Sequence, residues 1–135
     1  MAFQTLLGAD DYADRLLSVT LLRDRAMIEL LYATGMRVSE LIQIRASDLH
    51  LDEEYLTCVG KGDKERLIPI GEQAADWLRR YQRSGRGLLA ARAHALTRTD
   101  PRLFLNGRGS GLSRVGFWKV LTAYGRRAGL RRRSA

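Results

Sequence analysis

The chain has 135 residues, 45% of them hydrophobic and 28% charged, enough for one domain with a real core and too few for two. No run approaches the roughly 18 consecutive apolar residues of a membrane span, and the opening MAFQTLLGADDYADR lacks the basic and apolar regions of a secretory leader, so a soluble, cytoplasmic protein with no membrane partner is expected. A single cysteine, Cys58, and two distant histidines, His50 and His94, argue against disulfide and zinc scaffolds.

The formal charge of +8 is unevenly spread. Residues 1–70 carry 8 Lys+Arg against 12 Asp+Glu, and residues 71–135 carry 15 against 3. A polyanion partner, nucleic acid above all, is the functional reading of that basic half. A solvated Arg-rich surface is the other.

In chain order, Asp10 to Leu17 has acidic residues ahead of an apolar run, as a short helix start does. Leu22, Ala26, Met27, Leu30 and Leu31 then recur at helical spacing, with Thr34-Gly35 as the stop. A second helical stretch follows, with Val38, Leu41 and Ile42 on one face and Arg37 near its start.

The period next changes to that of strands. Asp48 to Leu51, Tyr55 to Val59 and Arg66 to Ile70 predict a small antiparallel sheet, the last two strands joined by the glycine-rich hairpin Gly60 to Lys64. Pro69 places the last strand at an edge, because proline cannot donate to a ladder.

Gly71 to Tyr81 predicts a helix burying Ala74, Ala75, Trp77, Leu78 and Tyr81, ended by Ser84 to Gly87. Leu88 to Asp100 stays open between a short helix and a variable connection. Leu103 to Leu105 reads as a short buried run and Asn106 to Gly111 as a loop. Ser113 is the N-cap of a helix with apolar positions Val115, Trp118, Leu121 and Ala128 and a stop at Gly129. Trp77, Tyr81 and Trp118 read as core residues, and His50 and Cys58 as structural ones. The fold class is α+β and mostly helical, with helices around a small three-stranded antiparallel sheet.

Two stretches carry chemistry. The first runs from Arg25 through Thr34-Gly35-Met36-Arg37-Val38-Ser39-Glu40-Leu41. The second is Gly60-Lys61-Gly62-Asp63-Lys64-Glu65-Arg66-Leu67-Ile68-Pro69-Ile70-Gly71. Together, with Arg37 and Lys61 24 residues apart, they resemble the arginine box and lysine hairpin of the tyrosine recombinase (phage integrase-like) family, Xer type. The resemblance covers about residues 10–130, as part of the family's catalytic domain.

That resemblance implies site-specific DNA recombination and DNA integration, with double-stranded DNA as partner. In the family a tyrosine attacks a phosphodiester, and the resulting covalent link conserves its energy, so no cofactor is needed. Arg37 matches the first of two arginines whose planar donors bind the scissile phosphate. Lys61 matches the general acid that protonates the leaving 5′-oxygen. Glu40 matches an acidic position that orients neighbouring basic groups. The structural alternatives are a salt bridge from Arg37 to Glu40 at i,i+3 and, for Lys61, a solvated hairpin-tip lysine or a backbone-phosphate contact without catalysis, with Lys64 as its rival. Arg45, Lys64, Arg66, Arg108 and Arg114 are candidates for DNA-backbone contact.

The family's His-x-x-Arg box, its tyrosine nucleophile and its N-terminal core-binding domain have no match in these 135 residues. None of Tyr12, Tyr32, Tyr55, Tyr81 and Tyr124 stands where the nucleophile belongs. A truncated, inactive catalytic domain is therefore expected, with a non-catalytic module that pairs with an intact recombinase or with itself as the alternative.

Overall fold

The computed structural model describes residues 2–93 and 99–127. One long helix, α1 (Ala2–Thr34), replaces the two expected pieces. Nothing between Leu17 and Leu22 breaks it, and the buried positions Val19, Arg23, Ala26, Met27 and Leu30 follow one helical stripe. Thr34 Oγ1 donates back to the Leu30 carbonyl, Gly35 takes a positive φ of 65°, and its N–H bonds the Leu31 carbonyl. The helix thus stops at the predicted glycine. Among the described residues no helix is long and apolar enough to cross a membrane.

Beyond the stop, α2 (Val38–Leu41) is a single turn with Leu41 buried. The sheet is three-stranded and antiparallel, in the order β1 (Leu49–His50), β2 (Tyr55–Val59), β3 (Glu65–Pro69). Its first strand is shorter than expected, while Pro69 does lie on the edge strand. Leu56 and Cys58 of β2 face the core, opposite Ile68 and Arg66 in the register.

Helix α3 (Gly71–Tyr81) buries Ala74, Ala75, Leu78 and Tyr81 and packs along α1. Trp77 is only partly buried, and the guanidinium Cζ atoms of Arg25 and Arg80 lie over its ring, 4.6 and 4.8 Å from the centroid. The expected break at Ser84 to Gly87 does not occur. The chain continues through a π turn (Gln82–Arg86) into α4 (Gly87–Ala90). The reason is packing: a Cβ on the buried Gly85 would meet both Tyr81 and Val19 at 3.2 Å, so this glycine serves close approach rather than termination. Of the open stretch, residues 94–98 lie outside the described residues.

Leu103 to Leu105 are fully buried, as expected. They are held by polar groups from three directions. Tyr81 Oη donates to the Leu103 carbonyl at 2.9 Å and accepts from the Leu105 N–H at 3.2 Å. Arg23 Nη1 donates to the Leu105 carbonyl at 3.0 Å while its Nη2 pairs with the buried Asp24 at 2.7 Å. Arg86 Nε donates to the carbonyls of Arg102 and Leu103.

Ser113 caps α5 (Arg114–Arg127), its Oγ accepting the Gly116 N–H at 3.0 Å. The buried face, however, carries Phe117 and Val120, with Leu121 partly covered, while Val115 and Trp118 are 65% and 50% exposed. Trp118 is therefore not core. Ala128, the stop at Gly129 and the Arg131 to Arg133 tail lie outside the described residues.

Candidate active site

Arg37 occupies the extended residue between the stop of α1 and the first turn of α2, with φ −77° and ψ 151°. Its backbone N–H donates to Glu40 Oε1 at 2.9 Å, so the acid three residues on caps the turn that presents the arginine. The guanidinium itself is exposed and has no ion-pair partner among the described residues. The i,i+3 salt bridge weighed as an alternative for Arg37 is absent there, because Glu40 is committed elsewhere. Its Oε2 takes Arg66 Nη2 at 3.0 Å and faces Cys58 Sγ at 3.9 Å.

The lysine hairpin closes with the Gly60 N–H donating to the Lys64 carbonyl at 3.0 Å. The backbone of Lys61 opens a 3-10 turn (Lys61–Asp63) in which Gly62 and Asp63 both take positive φ, 75° and 57°. Two left-handed residues in succession match the twist of a tight hairpin, and Gly and Asp are the residue types that tolerate them. The turn holds Lys61 at the tip rather than in the sheet.

A cleft of about 1010 Å³ adjoins the arginine turn, lined among others by Glu40, Arg45, Asp48, Cys58, Asp100 and Arg102. Its carboxylates are all engaged. Asp48 Oδ2 accepts the Arg45 N–H at 2.9 Å, and Asp100 accepts from Arg102 Nε and Nη2 at 3.0 and 2.8 Å and from the Gly111 N–H at 2.8 Å. The Arg102 guanidinium beside it holds the Asp100 carboxyl well below the usual carboxylate range. Arg45, exposed and with no ion-pair partner among the described residues, is the cation this cleft offers to a ligand.

The predicted site residues thus fall into two sets. Arg37, Glu40 and Arg66 are joined by direct bonds, and Arg45 lines the same cleft as Glu40. Lys64 sits past the hairpin tip, Arg108 in the 106–111 loop and Arg114 at the first residue of α5. All three are exposed, and none is bonded to the arginine turn among the described residues. Sequence reasoning missed the Asp100–Arg102 clamp, although the Asp-x-Arg spacing was in view, and missed the Arg66–Glu40 pair. The antiparallel register, which sets Arg66 opposite Cys58, is the signal that could have found the latter.

The sequence model of the phage integrase family matches residues 3–135. The chain belongs to the phage integrase family. Tyrosine recombinase XerD of Halalkalibacterium halodurans is 50% identical to this family member over 100 residues, 74% of this chain and 32% of that protein. XerD of Oceanobacillus iheyensis is 42% identical over 127 residues, 90% of this chain and 41% of the relative. Among solved structures, XerA recombinase superposes with a TM-score of 0.68 at 25% identity, covering 95% of this chain and 45% of that one. The XerH recombinase bound to its difH substrate shares the fold at a TM-score of 0.63 and 24% identity. This Xer-like chain therefore spans well under half the length of the curated relatives it matches. Its mostly helical fold around a three-stranded antiparallel sheet is that of its structural neighbours.

Proposed function

We propose that this chain is the front part of a tyrosine recombinase catalytic domain, and that it binds the backbone of duplex DNA through Arg37 with support from the lysine hairpin and Arg45. The observation that carries the reading is the state of Arg37. Its backbone is fixed by the Glu40 carboxylate while its guanidinium stays exposed and unpaired among the described residues. An arginine so presented can offer its planar fork to a phosphate without first breaking an ion pair. DNA is named as the bound partner in solved neighbours, XerH with difH and the Tn1549 integrase with circular intermediate DNA.

In this reading Arg37 binds a non-bridging oxygen of the scissile phosphate, where charge builds up in the transition state. Lys61, on the glycine-flanked turn, gives a proton to the leaving 5′-oxygen. Lys64, Arg108 and Arg114 hold the flanking backbone. Glu40 orients the basic groups and touches no substrate.

The 135 residues alone are inactive, because the covalent step needs a tyrosine beside these groups. Tyr81 is buried and bonded at its hydroxyl, and Tyr55 is stacked on His50 at 4.4 Å. The test is a nicked suicide duplex: salt-sensitive binding with no covalent protein–DNA adduct is expected. A trapped adduct overturns the inactivity, and failure of Arg37→Ala to weaken binding overturns the phosphate clamp.

A second reading has an observation of its own. Leu17 and Tyr32 on α1 are 59% and 90% exposed, as are Val115 and Trp118 on α5 to the extents given above. Large apolar side chains on two helices suit cover by further protein, supplied by an intact recombinase or a second copy. Sedimentation with and without a full-length relative distinguishes the two readings.

A further inference from the structure

We propose that Arg66 is a positioning residue, a strut that fixes the lysine hairpin against the arginine turn through Glu40, and not one of the groups that meet phosphate. The inference rests on the phosphate-clamp reading above and adds a role for a residue that the sequence marks only as a DNA-contact candidate.

Two motifs on different elements must act on one phosphate, so something has to hold the hairpin relative to the α1–α2 turn. Burial holds the β2 arm, through Leu56 and Cys58, but does little for the other arm. Along β3, Glu65, Arg66, Leu67 and Pro69 are exposed and only Ile68 is partly covered. Among the described residues, the β3 arm reaches the arginine turn through a polar contact, Arg66 with Glu40. The register sets Arg66 opposite Cys58, so both side chains rise on the side that faces Glu40. The Arg66 side chain crosses Gly60, its Nε 3.5 Å from where a Cβ would stand, and ends 3.0 Å from Glu40 Oε2. The other oxygen of the same carboxylate holds the Arg37 N–H at 2.9 Å. A single carboxylate thus ties Arg66, whose side chain passes over Gly60 beside Lys61, to the backbone of Arg37.

Charge separates the two arginines. The Arg66 guanidinium faces a carboxylate, which offsets the charge it could present to phosphate, whereas that of Arg37 does not. The pair is also more than half exposed on the arginine side, so water and salt screen it and it adds little to global stability. Its effect is on placement.

The experiment has two arms on the 135-residue chain. In the first, amide spectra of ¹⁵N-labelled protein are compared for wild type, Glu40→Gln, Arg66→Gln and Arg66→Lys, without DNA. Glu40→Gln is expected to shift the Gly60 to Lys64 amides, 20 or more residues away in sequence, in the same pattern as Arg66→Gln. Arg66→Lys, which keeps a cation for Glu40, should restore much of the wild-type spectrum. Unchanged hairpin amides in Glu40→Gln overturn the strut.

The second arm measures affinity for a duplex as a function of salt. Arg66→Gln should weaken binding about fivefold with the log–log salt slope unchanged, and the loss should nearly vanish in a Glu40→Gln background. A slope lowered by about one, with a loss independent of residue 40, marks Arg66 as a phosphate contact and overturns the proposal. If wild type does not bind duplex at all, the phosphate-clamp reading fails, and the first arm still decides the strut.

Discussion

Gly109 sits at φ +80° where the 106–111 loop passes the end of α4, and a Cβ there would lie 2.7 Å from both the Leu89 carbonyl oxygen and the Ala93 nitrogen. Both are backbone atoms that cannot swing aside. Gly109→Ala should therefore cost roughly 2–4 kcal/mol, seen as a lower urea midpoint at unchanged slope. Asp100 is the other residue whose consequence is specific. Its folded-state pKa is depressed by Arg102, so the native state binds fewer protons than the unfolded chain below the ordinary carboxylate pKa. Its contribution is complete above about pH 4 and is lost as the pH falls from there towards the folded value. Asp100→Asn should be less stable at pH 7 by about 1–3 kcal/mol and should flatten the acid limb of a stability–pH profile. A variant whose acid limb matches wild type would remove Asp100 from that account. At this scale the sequence showed which residues were charged. It did not show which charges are already matched: the same pattern made Arg45 and Arg66 equal candidates, and only the fold gives Arg66 a carboxylate.

Tyr81 shows what one side chain does between elements. It leaves α3, stacks on Phe104 at 5.6 Å and satisfies two backbone groups of the buried 103–105 run. Tyr81→Phe keeps the ring, strands the Leu105 N–H and leaves the Leu103 carbonyl with its Arg86 contact alone, at a cost of roughly 1–3 kcal/mol measured by denaturant unfolding. The elements themselves were mostly legible, because α3, β2, β3 and the Ser113 cap each follow a period or a capping residue. The phase of α5 was not. That helix has two apolar rows, Val115 with Trp118 and Phe117 with Val120, and periodicity fits either. The core takes Phe117 because the chain enters the helix from Leu112, which is buried. Ser84 to Gly87 misled for a related reason: glycine marks both helix ends and close contacts, and a single sequence does not say which.

For the molecule as a whole, the proposed DNA contact is a matter of charge. Duplex affinity should fall steeply between 50 and 200 mM salt, by roughly tenfold or more for every three phosphates contacted. Filter binding across that range checks it, and an affinity indifferent to salt would exclude a backbone interface. The family motifs, the three-stranded sheet, the stop at Gly35 and the concentration of arginine in residues 71–135 were legible in the chain before it folded, because each is written in local spacing or composition. That α1 runs unbroken, that Trp118 faces outward and that Glu40 joins Arg37 to Arg66 came from the folded molecule. Those depend on which surfaces meet after the chain has folded back on itself, and residues 26 apart in sequence, as Glu40 and Arg66 are, leave no periodic trace of their contact.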